Sequence, residues 1–268
     1  MRNISPPKKS LGQNFLRDDN IARKIVAAID PQVDDCMLEI GSGEGALTRY
    51  LAGKVQKLIA VEIDHRVVQR LRENMAPCTV DVRQEDFLTT DVAAIADQAG
   101  RRLRIVGNIP YNITSPIIFR LLDVRHVIGD ATLMMQREVA RRLVAVPRTK
   151  DYGILSVICQ LYADVSALFD VSPNAFFPRP KVTSSVMRLV MLDGPRYELA
   201  NEEFFRAMVR SVFGKRRKTL KNSLMYFFGD TFTLPDLPVN LSRRPEELSL
   251  QELVSLSNLL FAKCATTS

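Results

Sequence analysis

Apolar residues recur first at helical spacing and then in short runs of strand length. Asp18, a side chain suited to a helix N-terminus, precedes Ile21, Ile25 and Ile29 on one helical face, and Pro31 ends the run. Cys36-Met37-Leu38-Glu39-Ile40 predicts a strand, and a glycine-rich turn leads from it into a helix from about Ala46. Leu58 to Glu62 predicts a second strand, followed by a helix carrying Val67, Val68, Leu71 and Met75. Thr79 to Val82 predicts a third strand and Arg104 to Gly107 a fourth, after which Thr114-Ser115-Pro116 caps a helix with proline near its first position. Ala131 to Met135 and Val165 to Val171 predict further strands with helices between them. Ser185 to Met191 alternates as a last strand, and the loop before it is too short for a helical crossover, so it is expected to be antiparallel. Strands alternating with helices imply an α/β fold with a mostly parallel sheet covered on both faces.

Asp193-Gly194-Pro195 marks the best boundary, dividing a domain of residues 1–194 from one of residues 195–268. Beyond it the pattern is helical only. Phe204, Phe205, Met208, Val209 and Val212 share a face, and a capping box at Ser249-Leu250-Gln251-Glu252 opens a last helix with Leu253, Leu256, Leu259 and Leu260.

The chain of 268 residues is 46% hydrophobic and 25% charged, which excludes a disordered chain and a disulfide scaffold. No apolar run approaches the ~20 residues of a membrane span, and residues Met1 to Lys9 lack the apolar core of a signal peptide. A soluble, cytoplasmic protein is expected. Lys and Arg number 37 against 30 Asp and Glu, a net charge of +7 that suits either a polyanionic partner or a merely basic enzyme. The cysteines Cys36, Cys78, Cys159 and Cys264 show no Cys-x-x-Cys spacing, and His65 and His126 stand in no ligand cluster, so no metal is expected.

Glu39-Ile40-Gly41-Ser42-Gly43-Glu44-Gly45-Ala46 falls at a strand-to-helix turn, where glycines admit close approach of a ligand to the backbone. Gly41, Gly43 and Ala46 also fit the dinucleotide pattern, so the turn alone leaves a nicotinamide enzyme open. Glu62 ends the next strand, placed to accept from ribose hydroxyls. Three details favour S-adenosylmethionine. Glu39 stands where a carboxylate meets a cationic methionine end rather than a pyrophosphate. Asp86, in Glu85-Asp86-Phe87, is placed to accept from an adenine amine. Asn108-Ile109-Pro110-Tyr111 follows the fourth strand, a tetrapeptide for which a dehydrogenase has no need.

The exocyclic amine of adenine is a poor nucleophile because its lone pair is delocalised into the ring. Acceptors for both of its hydrogens draw the nitrogen toward tetrahedral geometry; the Asn108 side-chain carbonyl and a main-chain carbonyl near Pro110 are suited to this. Pro110 stiffens the turn. Tyr111 offers a stacking face for a base that has left its own stack. Asn174 to Lys181 adds Phe176 and Phe177 between prolines and cations: Phe176 is expected to face Tyr111 across the base, with Arg179 and Lys181 on backbone phosphate, core packing being the alternative for one of the two phenylalanines.

These residues resemble the ribosomal RNA adenine dimethylases, and within them the bacterial small-subunit branch. Lys9 to Leu16, Glu39 to Gly45, Glu62 to Asp64, Glu85 to Phe87, Asn108 to Tyr111 and Phe176 to Lys181 follow in the family's order, and the resemblance spans Lys8 to about Leu260. It implies a Rossmann-like S-adenosylmethionine-dependent methyltransferase sheet with an antiparallel last strand, plus a small all-helical C-terminal domain. It implies that Asn14, Leu16, Gly41, Glu62, Asp86 and Asn108 contact S-adenosylmethionine, and that Asn108, Tyr111 and Phe176 handle the adenine. The small-subunit members dimethylate two adjacent adenosines in the 3′-terminal hairpin of 16S rRNA, within an immature small subunit whose assembly they check. Gly214 to Leu224 resembles that branch's C-terminal signature, and its Lys215, Arg216, Arg217, Lys218 and Lys221 would contact rRNA. Ser242 to Ser249 resembles its last helical turn. Ile109 stands where many small-subunit members carry Leu and 23S rRNA resistance methylases often carry Ile. A 23S rRNA adenine methyltransferase and a non-catalytic RNA-binding assembly factor are the alternatives, and a monomer is expected.

Overall fold

The computed structural model describes residues 7–8, 11–76, 78–215, 218–229, 234 and 236–267. Apolar runs become the inner strands of a seven-stranded sheet. These are β2 (Cys36–Ile40), buried along its whole length, β3 (Lys57–Glu62), β5 (Leu103–Asn108) and β6 (Ile128–Gln136). Strands buried on both faces read as near-continuous apolar sequence, as these do. β4 (Val80–Gln84) and β7 (Ala163–Val171) form the two edges and carry polar residues. With β9 (Ser184–Met191), the order is β4-β3-β2-β5-β6-β9-β7. The pairs from β4 through β6 are parallel and β9 runs antiparallel to β6, as the short loop before it required. A separate two-stranded ribbon pairs β1 (Phe15–Leu16) with β8 (Phe176–Phe177).

The helices α1 (Asp19–Ile29), α2 (Thr48–Leu51), α3 (His65–Met75), α4 (Val92–Ala99) and α5 (Thr114–Asp123) follow successive strands, and α6 (Arg137–Leu143) follows β6. Asp18 caps α1 by accepting from the N–H groups of Asn20 and Ile21, and Ala22, Ile25, Val26 and Ile29 enter the core beside Met37 and Leu58. The helix expected from Ala46 is reduced to the four residues of α2, because Gly45 and Leu47 still lie in turns. Pro116 is the third residue of α5, not its first. A 3-10 turn at Tyr111–Ile113 precedes that helix, and the Thr114 hydroxyl donates back to the Pro110 carbonyl at 3.1 Å instead of capping forward.

The chain divides into two compact units. One runs to Ala140 and takes up Asp164–Met191; the other is Arg141–Ala163 with the residues from Leu192 on. The second unit thus draws on two stretches of chain, one before β7 and one from Leu192 on. The earlier stretch holds α7 (Ile154–Tyr162), which buries Leu155, Ser156, Val157, Ile158, Cys159, Leu161 and Tyr162. A helix buried all round needs partners on several sides, and it packs on α8 (Glu202–Phe213) and α10 (Leu250–Thr267). Phe204 of α8 meets Phe227 and Phe228 of α9 (Leu220–Phe228) and Phe261 of α10 at ring-centroid distances of 5.5, 6.2 and 5.4 Å. The capping box forms: Ser249 N–H donates to Glu252 at 2.7 Å and Glu252 N–H to the Ser249 hydroxyl at 3.2 Å. Among the described residues no helix is long and apolar enough to cross a membrane.

Candidate active site

Parallel strands end their carboxyl termini on one side of a sheet, where α/β folds place ligands. Here the ends of β2, β3 and β5 surround a cleft that opens to solvent. Ile40, Val61, Ile63, Phe87, Ile109 and Ile117 give it apolar walls, and among the described residues no Lys or Arg lines it. The turn after β2 passes through left-handed backbone at Gly41 (φ +65°) and Gly43 (φ +54°).

Glu62 ends β3 facing the cleft. Its two carboxylate oxygens accept from the N–H groups of Gly43 at 2.9 Å and Asp64 at 3.0 Å. Burial, reinforced by the nearby Asp64, still pushes its pKa up. After β4, Asp86 accepts from the Leu88 N–H at 2.9 Å, fixing Glu85, Asp86, Phe87 and Leu88 along another wall.

A strap of residues 11–15 forms the near wall. It is tied down by Gln13, which accepts from the Lys8 N–H at 2.8 Å and donates to Asp64 at 3.1 Å. The Arg66 guanidinium beside Asp64, at 2.8 Å, holds that carboxyl well below the usual range, so this anchor stays charged. Gly12 sits at φ +61°, and a Cβ there would stand 2.4 Å from Asn112 Oδ1.

Asn108 ends β5. Its Nδ2 donates to the Asn14 main-chain carbonyl at 2.9 Å. The next residues turn sharply: Ile109 N–H donates to Met134, while the Pro110 carbonyl accepts from the Ile113 N–H at 3.2 Å and from the Thr114 hydroxyl. Tyr111 lines the cleft and its hydroxyl meets that of buried Ser184 at 2.7 Å, pinning the far end of the ring. Burial raises the Tyr111 pKa, keeping it a neutral phenol.

Of the expected site residues, Asn14, Gly41, Gly43, Glu62, Asp86, Asn108, Pro110 and Tyr111 come together on the cleft. Three do not reach its wall. Glu39 is buried and accepts from the Thr48 hydroxyl at 2.6 Å, and burial pushes its pKa up to about 8; the neighbouring Ile40 takes the cleft side, as alternation along a strand requires. Leu16 and Phe176 are opposite one another in the β1–β8 ribbon and both enter the core, each 5% exposed. Phe15 and Phe177 share the other face of that ribbon; Phe15 lines the cleft and Phe177 is 49% exposed. The expected partnership of Phe176 with Tyr111 is therefore corrected: period-two alternation in the ribbon sends Phe176 inward and turns Phe177 outward. Gln13 and Phe87, which sit in the motifs without being singled out there, and Leu88 and Asn112, which lie outside them, also line the cleft.

Arg179 and Lys181 are exposed on the first unit, and Lys215, Lys218 and Lys221 on the second; Lys215 Nζ lies 4.8 Å over the Tyr226 ring. Arg216 and Arg217, like Lys9 and Ser10 of the N-terminal motif, lie outside the described residues. Arg243 is engaged by Glu252 at 2.5 Å and so serves the fold of the second unit.

With no cation among its described lining residues and only a four-residue helix after its glycine turn, the cleft is poorly suited to a pyrophosphate. Carboxylates and amides set among apolar walls suit an adenosine with a cationic tail. The fold and cleft are those of a Rossmann-like S-adenosylmethionine-dependent methyltransferase. The family model of the ribosomal RNA adenine dimethylases matches residues 5–260, and the chain belongs to that family. It is accordingly an rRNA adenine dimethyltransferase, and the family draws its methyl groups from S-adenosylmethionine. The chain is 41% identical to a ribosomal RNA small subunit methyltransferase A of Francisella tularensis subsp. novicida, over 94% of this chain and 97% of that one. It is also 41% identical to one from Aromatoleum aromaticum, over 96% and 95%. Among solved structures it is similar to a dimethyladenosine transferase from Plasmodium falciparum, with TM-score 0.76, 24% identity and coverage of 94% and 98%. It is likewise similar to the 23S rRNA methyltransferase ErmE, with TM-score 0.69, 29% identity and coverage of 91% and 98%.

Proposed function

We propose that this protein converts two adjacent adenosines in the 3′-terminal hairpin of 16S rRNA to N6,N6-dimethyladenosine, acting as a cytoplasmic monomer on an immature small ribosomal subunit whose assembly it checks. The observation that carries this reading is the orientation of Asn108. With Nδ2 engaged by Asn14, its Oδ1 is the atom left to face an incoming amine. The choice of 16S over 23S rRNA is supported by the 41% identity to small-subunit enzymes against 29% to ErmE.

Glu62 is suited to accept from ribose hydroxyls and Asp86 from the adenine amine of S-adenosylmethionine, with Asn14, Gly41 and Gly43 bringing backbone and amide groups close. When bound, the cofactor supplies an electrophilic methyl group on a sulfonium. The chain's own residues prepare the nucleophile. Asn108 Oδ1 accepts one hydrogen of the target amine. The second acceptor is the carbonyl of Ile109, because that of Pro110 already receives the Ile113 N–H and the Thr114 hydroxyl. Pro110 brings no N–H to the turn and fixes its φ. Tyr111, pinned by Ser184, stacks on the extruded base and holds it through both transfers. The nitrogen is cationic once methylated and loses its proton readily, so no tuned general base is required.

The test offers labelled S-adenosylmethionine, in parallel, to small subunits lacking the modification and to protein-free 23S rRNA. Label on the small subunits is expected. Label confined to 23S rRNA would move the chain to the resistance branch, and label on neither would make it an RNA-binding factor.

A further inference from the structure

The loop of residues 178–183 is tied at both ends to the cleft. At its start Phe177 stands opposite Phe15, a cleft-wall residue. At its end buried Ser184 bonds the Tyr111 hydroxyl, and the Thr183 carbonyl accepts from the Arg137 N–H at 3.0 Å. Pro178 and a buried Pro180 stiffen the stretch between. This anchored loop presents Phe177, 49% exposed, and Val182, 43% exposed, with the exposed cations Arg179 and Lys181 between them.

Apolar and cationic side chains interleaved on a rigid loop do not match the charge-depleted core of a protein interface. They match a nucleic-acid strand, which offers base faces and phosphates at short intervals. A base must leave its stack to reach Tyr111, and the vacated space recloses on it unless something enters. We propose that Phe177 is the wedge that enters the RNA stack vacated by the target adenosine, with Val182 beside it and Arg179 and Lys181 on the flanking phosphates. Phe177 is then a positioning residue distinct from Tyr111, which receives the base. The proposal rests on the reading above, that the target is an adenosine extruded from rRNA.

The test uses the full chain. Wild type is first shown to methylate small subunits; if it methylates only 23S rRNA, that RNA takes their place, so failure of the substrate assignment is seen separately. Transfer is read on the unaltered RNA, and extrusion on RNA rebuilt at the target position with 2-aminopurine, which has no 6-amine to methylate and whose fluorescence rises on unstacking. Phe177→Ala is expected to abolish most of the rise on binding and to slow single-turnover transfer about tenfold, with S-adenosylmethionine affinity and Tm unchanged. Phe177→Trp is expected to restore both. Phe176→Ala, which opens the core, serves as the contrast and lowers Tm. Wild-type fluorescence and rate in Phe177→Ala would overturn the proposal. So would a fall in Tm matching that of Phe176→Ala, or failure of Trp to rescue.

Discussion

Asn108 Nδ2 and the Asn14 carbonyl, 94 residues apart in sequence, meet at 2.9 Å. The bond joins the turn that ends β5 to the strap that walls the cleft. It also fixes which end of the Asn108 amide is free: an amide whose nitrogen is engaged by a carbonyl presents its oxygen the other way.

Asn108→Ala should therefore lower single-turnover methyl transfer by ~100-fold or more, the scale of a misoriented reacting group, while RNA affinity stays within a few-fold. Asn108→Asp should fare no better, because it turns a carboxylate oxygen toward the Asn14 carbonyl. Rapid-quench transfer and filter binding on the same preparations separate the two effects. Near-wild-type turnover in either variant would falsify the orienting role.

The strap admits a similarly specific test. Gly12 and Gly100 both sit at φ near +60°, where an L-residue costs ~1–2 kcal/mol, but only at Gly12 would a Cβ strike a neighbour, Asn112 Oδ1; at Gly100 nothing lies within 4 Å. Gly12→Ala should weaken S-adenosylmethionine binding about tenfold beyond any effect of Gly100→Ala. Calorimetric titration of the two variants decides it, and equal affinities would detach the strap from cofactor binding.

Glu39 predicts a pH dependence of stability. Its folded pKa, raised by burial to about 8, lies above the unfolded value of 4.5. Its contribution is thus fully present below pH 4.5 and is lost as pH rises through 8. Tm should fall across that window in wild type and fall less in Glu39→Gln, whose side chain can still accept from Thr48. Parallel Tm–pH curves for the two proteins would show that Glu39 does not titrate there.

The exposed lysines of the second unit bear on RNA affinity rather than chemistry. Changing Lys215, Lys218 and Lys221 together to Ala should weaken subunit binding and reduce the slope of log K against log salt by up to ~2–3, roughly one for each phosphate that is no longer neutralised. An unchanged slope would mean that these side chains only solvate their helix and turn.

Much of this was legible in the sequence because local rules decided it. Apolar runs marked β2 and β3, Asp18 and Ser249 announced their helices, and the Gly41–Gly43 turn and Asn108–Tyr111 fell where a parallel sheet gathers ligands. What was not legible depended on pairing between distant segments. Nothing local to Phe176-Phe177 says that the pair docks against Phe15-Leu16, yet that register decides which ring is buried. Glu39 looked available to a ligand because a strand's two faces are equivalent until its neighbours are known. The apolar pattern of segment 141–163 says that α7 is buried, not against which partner.

The most direct measurement is nucleoside analysis of unmodified small subunits after exhaustive reaction with the protein and S-adenosylmethionine, with the modified positions mapped along 16S rRNA. The expected result is N6,N6-dimethyladenosine at two adjacent positions of the 3′-terminal hairpin with wild type, reached ~100-fold more slowly with Asn108→Ala. Dimethyladenosine elsewhere would contradict the substrate, and methyl groups on any atom other than N6 would contradict the oriented-amine chemistry.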